Sequence, residues 1–189
     1  MRYMPAIVRS VGDERDALRA FLTHERHVLV IAAHGLTDHE AWSTPTASAL
    51  SIAGLLVHMT STERTWASMV AGTQASDGSA PDTTLEHVVA AYERATADTD
   101  AVIAEVDDLD RAVTLPEDTR WAPPGTEWSV RWVLLHLIQE TARHAGHADI
   151  IRETIDGATA LPLMAAAEHW PPRRTIQPWT PQAPRERLT

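Results

Sequence analysis

The stretch Trp132-Val-Leu-Leu-His136-Leu-Ile-Gln-Glu140-Thr-Ala-Arg-His144-Ala-Gly-His147-Ala-Asp149, running on through Ile155 to Gly157, decides how this chain is read. With Glu140 at zero on a helical wheel and about 100° per residue, Val133, Leu137, Ile151 and Ile155 all fall within about 60° of it. The spacing predicts a helix from about Ser129 to Ile155, stopped by Asp156 and Gly157. The same face carries His136, Glu140, His144 and His147 across its middle turns. A helix that is greasy at both ends is therefore expected to bury four polar groups in the core between them.

A buried carboxylate beside imidazoles is costly unless its charge is compensated, and a divalent cation is the simplest compensation. Glu140 and His144 lie four residues apart, one helical turn, so both can reach one ion. The same pair can equally form a carboxylate–imidazole hydrogen bond without any metal. A second helical stripe, Leu55, Met59, Trp66 and Met69, includes His58 and Thr62 in its arc. A single histidine on an apolar face is ordinarily a satisfied core residue, but one facing Glu140 and His144 across a bundle makes a set of three. His58, Glu140 and His144 are the predicted metal ligands. Two histidines and one carboxylate leave coordination positions open, as catalytic sites do.

The neighbours receive plainer readings. His136, one turn before Glu140, is read as packing or as support for a ligand. His147 is read as a partner that orients the site, with a fourth ligand or a base toward substrate as alternatives. Arg143, about 60° from Glu140, is placed to meet an anionic ligand or to pair with a carboxylate. Asp149, Arg152 and Asp156 have the spacing of an ion-pair ladder on the helix surface. His24, His27, His34, His39, His87 and His169 share no stripe with the cluster and are expected in solvent.

Outward from this helix, three more helical patterns are separated by Pro, Gly and Asp clusters. The first runs from about Asp13 to His34, with Leu18, Phe21, Leu22, Val28, Leu29 and Ile31 as its apolar positions and Gly35 as its stop. The second runs from about Ser48 to Val70 and closes at Ala71 and Gly72. Thr83 and Glu86 have capping-box spacing at the start of the third, which reaches about Val106. A loop rich in Asp, Pro and Trp follows from Asp107 to Trp128, and a short helix is predicted from Leu163 to His169. Beyond it, Trp170-Pro-Pro and Trp179-Thr-Pro read as an extended strap pinned by its tryptophans. No strand pattern competes. The expected fold is an all-α four-helix bundle in one domain, residues 1–189, with a C-terminal strap over about 158–189.

Composition narrows the function. The chain has 189 residues, no cysteine and a formal charge of −10. Without cysteine there are no disulfides, thiolate nucleophiles or cysteine zinc sites, so thiol chemistry would need a thiol from outside. The negative charge disfavours nucleic acid and anionic lipid. No apolar run has membrane-spanning length, and the N-terminus lacks a signal-peptide core, so a cytoplasmic location is expected. All 16 cationic side chains are arginine, which points to a GC-rich source genome and fits an actinobacterial one.

The fourth-helix stretch resembles the last bundle helix of the DinB-like superfamily, in particular its actinobacterial branch of mycothiol-dependent transferases and maleylpyruvate isomerase-like proteins. The segment Leu50-Ser-Ile-Ala-Gly-Leu-Leu-Val-His58-Met59 is similar to that family's second helix and first metal ligand. The tail from Leu161 to Trp170, followed by Pro178-Trp-Thr-Pro181, is similar too. The resemblance implies an up-down-down-up bundle with a metal at one end. Three histidines commonly bind that metal in the superfamily. Glu140 in the middle position is similar to the arrangement in mycothiol-dependent maleylpyruvate isomerase. His147 stands where relatives often have Gln.

The resemblance also implies zinc, with nickel, iron or manganese as other divalent choices, and mycothiol as a thiol co-substrate. The expected function is transfer of that thiol to a small electrophile, in detoxification or small-molecule metabolism. The alternatives are a mycothiol-dependent isomerase, which returns the thiol, and a non-catalytic metal- or ligand-binding bundle. The Asp107–Trp128 loop and the C-terminal strap are expected to line the pocket, where Trp121 and Trp128 either offer flat apolar surface to the electrophile or serve only as packing. Superfamily relatives often form homodimers, so a homodimer is a further expectation from the resemblance.

Overall fold

The computed structural model describes residues 6–73, 84–115 and 126–181. Its long helices are α1 (Glu14–Ile31), α3 (Ile52–Ala71), α4 (Leu85–Ala104) and α5 (Val130–Asp156). Two short helices accompany them, α2 (Asp38–Trp42) and α6 (Ala160–Ala167), together with the two-residue strands β1 (Ala112–Val113) and β2 (Trp128–Ser129).

Two layers of core fix the direction of each helix. One gathers Leu18 and Leu22, Trp66 and Val70, Ile103, and Val130 to Leu137. It therefore holds the start of α1, the ends of α3 and α4, and the start of α5. The other gathers Leu29, Ile52 to Met59, Val88 and Tyr92, and Ala145 to Ile151, which are the opposite ends of the same four helices. The order is up-down-down-up, as expected. The broadest contacts join α3 to α4 and α1 to α5, and a narrower seam joins α3 to α5.

Local chemistry sets the helix ends. Asp13, Ser51 and Ser129 each accept a hydrogen bond from a backbone N–H in the first turn of the helix that follows, satisfying donors that a helix leaves unpaired. α1 ends earlier than predicted, at Ile31 with Ala32 as a right-handed C-cap, and Gly35 takes its left-handed φ of 74° in the turn that follows. The predicted capping box of Thr83 and Glu86 falls partly on Thr83, which lies outside the described residues. The N-cap of α4 is Thr84, with no side-chain cap hydrogen bond.

Other expectations need correction. Phe21 is 47% exposed, so the apolar side of α1 is narrower than its sequence pattern. The Asp107–Trp128 loop is bounded by β1 and β2, which pair antiparallel with Ala112 opposite Ser129 and Val113 opposite Trp128. Two-residue strands are too short for alternation to show in a sequence. Arg152 is fully buried, and so does not belong to a surface ladder. Its Nη1 donates to the carbonyls of Ala32 and His34, at 2.8 and 2.7 Å, and so caps the end of α1. Its Nε and Nη2 reach Asp156.

The strap behaves as its tryptophans suggest. Trp179 donates its backbone N–H to Pro162 O at 2.8 Å, and its ring lies 4.7 Å from the Arg152 guanidinium. It also lies against Gly35, where an added Cβ would come within 3.0 Å of the ring. His27 and His34 are consequently not simple solvent residues. His27 donates from Nε2 to the Glu168 carboxylate at 2.7 Å, and His34 meets Trp179 edge-on.

Candidate metal centre

α3 and α5 bring His58, Glu140 and His144 together, with one ligating atom from each within 4.8 Å of the others. Glu140 Oε1 lies 3.2 Å from His144 Nε2 and 3.5 Å from His58 Nε2. The two imidazoles meet edge-on, 4.8 Å between ring centres. Each side chain is placed by its helix: Glu140 and His144 share a ridge one turn apart, and His58 crosses from the facing turn of α3.

The cluster sits in the wall of the bundle, which corrects the core placement read from the sequence. The His58 side chain is 50% exposed, against 18% for Glu140 and 13% for His144. The reason lies in the wheel. The buried residues of α5 include Val130, Thr141, Ala148 and Arg152, which centre the core about 80° beyond Glu140. The Glu140 ridge is thus the edge of the buried arc. It lies near the middle of α5, not at one end of the bundle. One side faces protein and the other faces solvent, through which a small molecule can reach the cluster.

Electrostatics prepare these groups to donate lone pairs. Burial works to raise the Glu140 carboxyl, but the charge of His144 and hydrogen bonds from His58 and His144 outweigh it and hold the carboxyl below its ordinary value. Burial also pushes the His144 imidazole below its ordinary value, against the pull of Glu140. An ionised carboxylate and a neutral imidazole are the states in which these side chains bind metal.

The distances are compatible with coordination as well as with hydrogen bonding. A charge-assisted hydrogen bond between an imidazole and a carboxylate closes to about 2.7–2.9 Å, as His27 and Glu168 do at 2.7 Å. The two contacts at Glu140 are longer. Donor atoms about 2.1 Å from a tetrahedral ion stand about 3.4 Å apart, and the contacts of 3.2 and 3.5 Å match that spacing. The donor set fits a divalent ion.

The surrounding residues take distinct places. His147 turns its Nδ1 toward His144 Nδ1 at 3.4 Å, behind the triad. Arg143 is 56% exposed and approaches Glu140 Oε2 at 3.4 Å from the rim. Thr62 spends its hydroxyl on the carbonyl of His58. His136 stacks on Trp132 and meets Trp66 edge-on. Sequence reasoning passed over Trp132, although the four-residue spacing of positions 128, 132, 136, 140 and 144 was there to be read. Trp121 lies outside the described residues.

Comparison with known proteins agrees with this architecture. The model of the mycothiol-S-transferase family matches residues 17–157. Among solved structures, a conserved protein from Enterococcus faecalis is similar in fold, with a TM-score of 0.62 and 13% identity, over 78% of this chain and 100% of that one. At that identity the likeness speaks for the fold alone. No curated protein matches the sequence.

Proposed function

We propose a function from one premise, that this chain belongs to the mycothiol-S-transferase family: it transfers a low-molecular-weight thiol, mycothiol, to a small electrophile at a divalent-metal centre held by His58, Glu140 and His144. The observation that supports the metal is the convergence of three ligand-type side chains from α3 and α5, with one donor atom of each within 4.8 Å of the others. Zinc suits a set of two imidazoles and a carboxylate with open positions. Bound there, the ion would supply the positive charge that favours the thiolate form of an incoming thiol near neutral pH.

The chain's own residues supply the rest. Glu140 remains ionised and compensates charge at the centre. With an ion on Nε2 of His144, its Nδ1–H would be free to donate to His147 Nδ1, which would fix the tautomer and orientation of the ligand. Arg143 stands at the solvent side with its guanidinium available to an anionic group of thiol or acceptor. In the reaction the thiolate sulfur bonds to the electrophilic carbon. The leaving group departs with its electron pair, or a proton completes addition to a conjugated double bond.

The test is metal content. Untagged protein purified without chelator should carry close to one equivalent of zinc or another divalent metal, and His144→Ala should lose it. The wild type should then conjugate mycothiol to electrophiles, and the variant should not. A folded wild type that holds no metal and takes up none on addition would reduce the triad to a hydrogen-bonded cluster and overturn the reading.

A further inference from the structure

The ridge of α5 that carries Glu140 and His144 continues toward its N-terminus as a ladder of flat rings. Trp128 and Trp132 stack at 4.0 Å with 4° between their planes, and Trp132 and His136 at 5.0 Å with 11°. Trp66 of α3 closes the inner edge, with its centre 5.4 Å from Trp132 and 4.9 Å from His136. Trp128 belongs to β2, and from Trp132 to His136 the ladder climbs one turn of α5, about 6 Å, with Glu140 as its next step.

Two features separate this ladder from ordinary core. Trp132 and His136 are only half-buried, whereas Val133 and Leu137 beside them are sealed at 1% and 0%. His136 also makes no hydrogen bond to any described residue, and burial lowers its basicity. The result is a largely neutral, partly open aromatic wall that runs directly into the triad.

We infer that Trp132 and His136 form the acceptor subsite, and that the electrophile is an aromatic or flat conjugated molecule lying along them with its reacting carbon at the triad. This rests on reading the triad as a thiol-transfer centre. The stacking geometry favours this class of ligand over the sugar-like portion of a thiol. Trp132 spends both broad faces, on Trp128 and His136, so a pyranose looking for an aromatic face on it finds edges. An aromatic body meets ring edges in the T-shaped arrangement that aromatic pairs prefer.

The experiment has a binding arm and a turnover arm. In the first, 1,3-dinitrobenzene, which lacks a leaving group, is titrated against the full chain and followed by quenching of tryptophan fluorescence. Saturable binding is expected in the wild type and in His144→Ala, weakened about tenfold in Trp132→Leu and largely kept in Trp132→Phe. In the second, mycothiol is supplied with 1-chloro-2,4-dinitrobenzene or with iodoacetamide. The ratio of kcat/KM for the aromatic over the aliphatic acceptor should fall about tenfold in Trp132→Leu and recover in Trp132→Phe.

A wild type that fails to bind the dinitrobenzene, or a Trp132→Leu variant with unchanged binding and unchanged ratio, overturns the subsite while leaving thiol transfer in place. Binding that depends on Trp132 without thiol conjugation of any acceptor supports the aromatic subsite and removes the transferase reading. Should Trp132→Leu fail to fold, the wild-type titration and Trp132→Phe still decide the matter.

Discussion

Arg26 and Arg152 are both buried, and they show how this bundle handles interior charge. Arg26 forks onto Glu63, donating from Nε at 2.7 Å and Nη2 at 2.6 Å, and reaches Asp100 with Nη1 at 2.8 Å. Glu63 is fully buried. Removing one partner from such a pair strands the other charge, at a cost of about 3–5 kcal/mol. Glu63→Gln should therefore lower unfolding free energy by about 3 kcal/mol in urea titrations, and Arg26→Met with Glu63→Leu should recover much of it. The histidines make a pH prediction of definite sign. His34 is held below its ordinary value by burial and by Arg152, and His136 by burial first. The unfolded chain accepts protons near pH 6.5 that the folded chain refuses. Stability should thus be complete above that value and decline as pH falls below it, and His34→Gln should flatten the decline in urea midpoints between pH 7.5 and 5.5. At this scale the sequence was informative wherever spacing carried the message. Glu140 and His144 are one turn apart on any helix, and His58 faces them. Arg152 was misplaced because a wheel centred on Glu140 puts it outside the stripe, whereas the true centre brings it inside.

Long helices announce themselves through many repeats of one period, which is why all four were legible to within a few residues. The missing elements are the short ones. α2 has five residues, fewer than an apolar period needs, although Thr37 and Glu40 form a full capping box in its first turn. β1 and β2 are similarly brief. Cap chemistry gives the element-scale prediction. Ser51 accepts from Gly54 N at 3.1 Å and opens α3, the helix that carries His58. Ser51→Ala should cost about 1 kcal/mol, read as a lower thermal midpoint. His58 lies nearly two turns beyond the cap, so metal affinity should change much less than stability does.

The broadest helix contacts pair α1 with α5 and α3 with α4, and among the described residues two polar clusters reach across between the pairs. Arg26 reaches from α1 to α3 and α4, and the triad spans α3 and α5. The first tie is built into the chain. The second would depend on an ion bound only by the folded form, adding about 2.7 kcal/mol when the free ion stands at 100 times its Kd. Zinc addition should accordingly slow amide hydrogen exchange through both α3 and α5, well beyond the ligands themselves. Slowing confined to the turns holding His58, Glu140 and His144 would show that the seam is already closed without the ion. This division of labour also bears on how long the protein survives in a cell. Proteases act on transiently opened chains, and a seam closed by an ion opens more often when that ion is scarce. The abundance of the protein would then follow metal supply with no change in its synthesis.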